Sequence, residues 1–438
     1  MPDLLLTAAG TPAPATAAGD TAWLLAAAAL VLLMVPGLAF FYGGMVRSKS
    51  VLNMMMMVFG ALAVVMVVWV LVGYSLAFGD DLGGGLLGDP GQYLGFRGML
   101  DAEPGASYPI TIFAAFQGLF AVITVGLIAG AIADRTRFGT WLLFAGLWTV
   151  LVYAPVAHWI FGGGWMSSHL HALDFAGGTA VEINSGAAGL AAALVLGRRV
   201  GFGRDPMKPH NLTLVMVGAG LLWFGWFGFN AGSALAADRT AAIVFVNTLL
   251  AGCTGLLAWL GVERFRDGHA TSFGAASGVV AGLVAITPSC GAVTPIGAML
   301  VGVAAGAICA LAVGLKYTFK YDDSLDVVGV HLVGGLVGTV VIGLLASSKV
   351  TAVDGLFYGG GAGQLGRQLV AAGVTLVFSF AMTALLVWVL ERTVGFRIDP
   401  EHEVAGVDLV IHAETAYDLH ITGGARPHFG PGTGTLHS

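Results

Sequence analysis

Eleven apolar stretches, each about as long as a bilayer is thick, follow one another along this chain. They fall near residues 21–45, 52–78, 108–133, 138–160, 178–197, 211–233, 240–262, 272–288, 292–315, 325–347 and 364–391. Crossing a hydrocarbon core of ~30 Å takes ~20 apolar residues in helical form. Inside lipid, a segment must satisfy every backbone N–H and C=O without water, which a helix does within itself. The expected fold is therefore an all-α integral membrane protein of eleven transmembrane helices. Charge content agrees, since 10% of the residues are charged and 57% are hydrophobic, whereas a soluble domain carries about 25% charged residues. The 67 glycines suit helices that pack backbone to backbone. Cys253, Cys290 and Cys309 lie in or beside apolar segments without metal spacing and read as packing residues. The N-terminus has no basic region ahead of its first apolar stretch, so no cleaved signal peptide is expected. No basic run suggests a nucleic-acid partner.

An odd number of spans places the termini on opposite sides, and basic residues mark the cytoplasmic one. With the N-terminus outside, the outer side holds only Arg97, Arg239, Lys349 and Arg367 of the 19 Lys and Arg residues. The outer loop 79–107 adds Asp80, Asp81, Asp89, Asp101 and Glu103. The expected organisation is a short extracellular segment (1–20), a membrane domain (21–391) and a polar cytoplasmic tail (392–438) too small for a catalytic domain.

Two segments repeat. "DFAGGTAVEINSGAAG" (174–189) aligns with "DSLDVVGVHLVGGLVG" (323–338), pairing Asp174 with Asp323, Val181 with Val330, Gly186 with Gly335 and Gly189 with Gly338. Glu182 falls opposite His331. Five spans separate the two segments, so equivalent helices run in opposite directions. This predicts inverted repeats, about 21–197 and 211–347, followed by one additional helix near 364–391. Such repeats place a substrate site near the membrane midplane at their interface. Ionisable residues deep in a span mark pathways or proton relays by default, and Glu182 and His331 are the two furthest from the ends of their spans. A structural carboxyl satisfied by a neighbour is the alternative for Glu182. Asp174 lies ~12 Å of helix away from Glu182, too far to share one site. At a helix start it can accept hydrogen bonds from the first free N–H groups, contact substrate, or both.

The motifs "PGLAFFYGGMVRSKSVLNMM" (36–55), "FQGLFAVITVGLIAGAIADRTRF" (116–138), "DFAGGTAVEINSG" (174–186), "VGFGRDPMKPHNL" (200–212), "GWFGFNAGSA" (225–234) and "DVVGVHLVGG" (326–335) resemble the ammonium transporter (Amt/Mep/Rh) family. The tail "EVAGVDLVIHAETAYDL" (403–419) is similar to that family's cytoplasmic tail. The resemblance implies a homotrimer in the cell membrane with one pore per subunit, carrying ammonium and, more weakly, methylammonium. It implies an outer recruitment site of Phe120, Phe161 and Ser233 with Asp174 behind it. Below that site, Phe116 and Phe229 would be stacked rings closing the pore, lined by Trp226. Glu182 and His331 would follow as the proton-relaying pair. A PII-type signalling protein would dock on the cytoplasmic face. The tail from Glu403 to Leu419, which keeps Gly406, Asp408, Glu414 and Tyr417, would couple subunits. Two departures stand out: Glu182 replaces the first His of the family's usual twin-His pair, and Phe161 replaces a Trp.

No enzyme chemistry, cofactor or metal is expected. "HLHALD" offers His169, His171 and Asp174 as a metal triad but reads as a bystander cluster. The "GGG" runs at 83–85, 162–164 and 359–361 lack the Lys and following helix of a phosphate loop. "NLT" (211–213) would lie in the cytoplasm, away from glycosylation. An ammonium sensor acting through a partner and a passive gas channel of the Rh kind are the rival functional classes.

Overall fold

Each apolar run becomes a helix, because in these stretches nothing competes with intrahelical hydrogen bonding. The computed structural model describes residues 17–100 and 106–417. Most of the expected extracellular segment, together with Asp101, Glu103, Asp418, Leu419 and Arg426, lies outside the described residues. The eleven long helices are α1 (Ala18–Met45), α2 (Val51–Phe78), α3 (Ile110–Ala131), α4 (Phe138–Ser168), α5 (Gly178–Leu196), α6 (Leu212–Gly232), α7 (Arg239–Asp267), α8 (Ser272–Ser289), α9 (Pro295–Phe319), α10 (Val328–Leu345) and α11 (Gly363–Thr393). Each matches one expected span to within a few residues at most boundaries; α4 and α7 run further. α3, α5 and α8 are the most enclosed, while α2 and α11 are the most exposed.

Helix starts in the second half carry polar caps, which satisfy N–H groups that a helix leaves free. Asn211 accepts from Leu214 N at 3.0 Å, Asp238 from Ala241 N at 3.0 Å, Thr271 from Gly274 N at 2.8 Å and Thr294 from Gly297 N at 3.2 Å. The Asn of "NLT" is thus a helix cap. Small residues set the packing distance. α1 and α6 run antiparallel in close contact, with Gly218 against the backbone of Phe41 and Gly225 against Met34 and the Leu30 carbonyl.

The two ends of the bundle differ in chemistry. At the arginine-rich end, Arg199 bonds Asp322 Oδ1 at 2.8 Å and Asp134 at 3.1 Å, and Arg47 reaches the same Asp134 at 3.0 Å. Arg135 is wholly buried there, and burial pulls its guanidinium down to about 10 against the pull of Asp322. The tail returns to this end through α12 (Pro400–Ala405). Glu403 accepts from Val200 N at 2.7 Å and pairs with Arg397 at 3.1 Å. Asp408 caps the start of α2, accepting from Leu52 N at 3.0 Å and Asn53 N at 2.8 Å. Tyr417 OH meets His210 Nε2 at 2.9 Å. The tail therefore clamps two loops of its own chain.

At the far end a small antiparallel hairpin, β1 (Asp81–Leu82) and β2 (Leu87–Gly88), pairs Asp81 with Gly88 and Leu82 with Leu87. Its turn needs glycine: Gly85 has φ +92°, and a Cβ there would sit 2.4 Å from Trp165 N.

Candidate functional site

Two Asp residues organise two halves in the same way. The Asp174 carboxylate accepts from Gly177 N (2.8 Å), Gly178 N (2.7 Å), Thr179 N (2.8 Å) and Ala180 N (3.3 Å), and from the Thr179 hydroxyl. Asp323 accepts from Val327 N at 3.1 Å and Val328 N at 2.7 Å, the offsets that Gly178 N and Thr179 N have from Asp174. Each loop also leans on the other half: Phe175 N donates to Pro288 O at the end of α8, and Ser324 N donates to Ala131 O at the end of α3. Both following helices open with a π-helical turn, Gly178–Ile183 and Val328–Leu332. Such turns rotate side chains out of α register and are frequent at functional sites.

α5 and α10 cross antiparallel, with reciprocal contacts. A Cβ on Gly186 would lie 2.4 Å from Leu332 N, and one on Gly335 would lie 3.1 Å from Ile183 N. The alignment that sets Gly186 over Gly335 also sets Ile183 over Leu332, so the contact maps onto itself. Beside this crossing, Glu182 Oε2 meets His331 Nδ1 at 2.7 Å. Both side chains are buried, at 1% and 5% exposure. This contact engages Nδ1, so Nε2 is the ring nitrogen not paired with Glu182.

The aromatic residues form a continuous cluster whose order differs from expectation. Phe229 stacks on Phe120, with ring centroids 3.9 Å apart and planes at 17°. Phe116 instead meets Phe120 edge-on, at 4.9 Å and 63°. The expected Phe116–Phe229 stack is therefore corrected to Phe120–Phe229. Phe116 and Phe120 are one helical turn apart on the same face of α3, and the crossing of α6 selects the second. Trp226 lies 5.9 Å from Phe229, oriented by its Nε1–H donating to Thr287 Oγ1 at 2.8 Å. Ser233 donates to Phe229 O at 2.8 Å, which leaves its hydroxyl lone pairs free to accept. Beneath the stack, a slit of ≈ 10 Å³ is lined by Met34, Leu38, Phe41, Ile123, Leu127, Leu222, Val280, Trp226 and His331. Phe161 ends the Ala154–Ile160 helix and packs against apolar neighbours, without a ring contact to this cluster among the described residues. Trp159 faces Trp165 at 6.0 Å and Phe378 of α11 at 4.7 Å.

Both Asp174 oxygens accept from backbone N–H groups, and among the described residues no hydrogen bond joins Asp174 to His169 or His171. Sequence reasoning missed two arrangements near this end. His158 is fully buried, with Nδ1 3.0 Å from Ala77 O and Nε2 3.0 Å from Asp81 Oδ1. That hydrogen bond from His158 holds the Asp81 carboxyl below its ordinary value. Gln368 of α11 makes a paired contact with Leu173, the residue before Asp174.

Eleven long apolar helices among the described residues, packed around a buried Glu–His contact beside stacked aromatic rings, define a polytopic membrane protein. The profile of the Ammonium Transporter Family matches residues 22–417. The ammonium transporter of Mycobacterium tuberculosis is 55% identical, covering 93% of this chain and 92% of that protein. The ammonium transporter of Aquifex aeolicus is 48% identical over 92% and 94%. Among solved structures, Saccharomyces cerevisiae Mep2 superposes with TM-score 0.81 at 36% identity, covering 88% of each chain. A structure described as "Sensor Amt Protein" gives TM-score 0.83 at 28% identity, covering 89% of this chain and 97% of that one. The chain belongs to the ammonium transporter family and is a multi-pass protein of the cell membrane.

Proposed function

We propose that the chain takes up ammonium beside Phe120 and Ser233, removes its proton, and passes ammonia through the pore with the proton relayed by Glu182 and His331. The observation that carries this reading is the 2.7 Å contact between these two buried ionisable residues beside a helix crossing. Ammonium is a cation with four N–H donors, so aromatic faces attract it and the Ser233 lone pairs accept from it. Asp174 adds a negative group nearby. Carrying the intact ion into an apolar slit costs several kcal/mol. Deprotonation removes that cost, and a titratable pair takes the proton. Potassium has no proton to give. The process is transport and makes no lasting covalent change, so no enzymatic turnover is assigned.

The lysine and arginine asymmetry supports an outside N-terminus and a cytoplasmic tail. The reciprocal α5–α10 contacts support five-plus-five inverted repeats with α11 added. Homotrimer assembly and docking of a PII-type protein extend the family reading, as does subunit coupling through Gly406, Asp408, Glu414 and Tyr417. A sensing role is the second reading, favoured by the 28% identical "Sensor Amt Protein". Purified protein in liposomes should give ammonium-evoked current and a smaller methylammonium response. Flux no greater than in empty vesicles would overturn transport and favour sensing. Ammonia flux without current would mark a passive gas channel instead.

A further inference from the structure

α11 lies outside both repeats, yet it carries the amide that holds the first Asp loop. Leu173 N donates to Gln368 Oε1 at 2.8 Å, and Gln368 Nε2 donates back to Leu173 O at 2.7 Å. Both backbone groups of one peptide-length segment are thus closed by one side chain, as a neighbouring strand would close them. Gln364, one turn earlier, supports the arrangement by donating from Nε2 to Gln368 Oε1 at 3.0 Å. Gln368 is fully buried. A buried amide costs free energy unless its donors and acceptor are all used, and here they are.

Leu173 is the residue immediately before Asp174. The Asp174 carboxylate in turn holds the N–H groups of Gly177, Gly178, Thr179 and Ala180, the turn that leads into Glu182. In the second half, the position aligned with Leu173 is Asp322, whose carbonyl accepts from Arg135 Nη2 at 2.6 Å. One half therefore uses a neutral amide where the other uses a guanidinium. A guanidinium beside Asp174 would cancel the negative group that favours an arriving cation, whereas a glutamine positions the loop and adds no charge.

We infer that Gln368 is a positioning residue for substrate entry: through Leu173 it fixes the Asp174 carboxylate and the turn that carries Glu182. The inference rests on the transport reading above for its functional consequence, but not for its structural one. Two variants test it in the full-length protein reconstituted in liposomes. Gln368→Met keeps the volume and removes both bonds. It should raise the apparent KM for ammonium roughly tenfold while leaving the maximal rate within about twofold, the loss expected when a buried hydrogen-bonding partner is removed. Amide hydrogen exchange should quicken at Gly177 to Ala180 and stay unchanged at Val327 and Val328. Gln368→Glu accepts from Leu173 N–H in either protonation state but donates to Leu173 O only as the acid. Its KM, expressed as a ratio to wild type, should approach one at acid pH and rise toward alkaline pH. A packing role alone would give no such pH-dependent rescue. Wild-type KM and wild-type exchange in Gln368→Met would overturn the inference. So would exchange that quickens equally in both segments, or a Gln368→Glu ratio that is flat with pH. Wild-type vesicles without ammonium flux would defeat the transport reading instead, and the exchange pattern would still decide whether Gln368 positions the loop.

Discussion

Adding a single methyl group at Gly186 should break the Glu182–His331 pair without touching either residue. A Cβ at this position would lie 2.4 Å from Leu332 N and 2.6 Å from Leu332 Cα, against an ordinary contact of at least 3.4 Å. The obstructing atoms are backbone, so no side-chain rotation relieves the clash. α5 and α10 must separate by ~1 Å, the size of a modest overpacking displacement. The same separation lengthens the Oε2–Nδ1 contact from 2.7 Å to roughly 3.7 Å, beyond hydrogen-bonding reach. Overpacking costs about 1–3 kcal/mol of stability. Losing a hydrogen bond to a charged group costs about 1.5–3 kcal/mol, which corresponds to a rate reduction of roughly tenfold to a hundredfold if the pair carries the proton. At Gly335 the nearest atoms stand at 2.8 and 3.1 Å, and the closest is a side-chain Cβ. Gly335→Ala should therefore be milder. The assay is ammonium-evoked current in proteoliposomes across a pH series, with thermal unfolding of the same samples. Gly186→Ala protein with wild-type current and an unchanged pH profile would refute the reasoning.

Glu182→His should preserve transport and shift its pH optimum, whereas Glu182→Ala or His331→Ala should abolish current or admit potassium. If Glu182→Gln and His331→Ala both leave pH dependence and potassium exclusion unaltered, the pair is structural. Phe120→Ala and Phe116→Ala should each cost about 3–5 kcal/mol as buried truncations, but only Phe120→Ala removes the ring stacked on Phe229, so potassium flux should rise in that variant alone. Asp174→Ala strands four backbone N–H groups at about 1–3 kcal/mol for each one left buried and unpaired, and should sharply lower the yield of monodisperse protein. Asp174→Glu should be only partly tolerated, because its longer arm misplaces the carboxylate. Burial pushes the Asp323 carboxyl up to about 6, with Lys316 opposing. Its folded value exceeds the unfolded ~3.9, so protonation favours the folded state. That contribution is complete below about 4 and lost as pH rises through about 6. Asp323→Asn should flatten the pH dependence of thermal stability over that window, and an unchanged slope would count against the assignment.

Membrane-helix positions are local properties of a chain, which is why all eleven were readable from apolar length alone. The Glu182–His331 pairing was readable too, because a repeat is a relation between two stretches of sequence. The residues that align in the two stretches, Glu182 and His331, meet at 2.7 Å. The choice of Phe120 over Phe116 as the partner of Phe229 was not readable. Residues four apart share a helix face, so only the crossing of α3 with α6 separates them. Gln368 on Leu173, 195 residues apart, and Glu403 on Val200, 203 apart, leave no periodic trace either. A glutamine in a long apolar helix signals that some polar partner must exist, since lipid supplies none. Which backbone group it finds depends on how α11 lies against the loop before α5. The sequence by itself determined how many times the chain crosses the membrane and which ionisable residues pair within it. Only the tertiary structure decided which ring stacks, which amide positions Asp174 and where the tail docks, because each depends on the angle and distance at which two helices or loops far apart in the chain pack together.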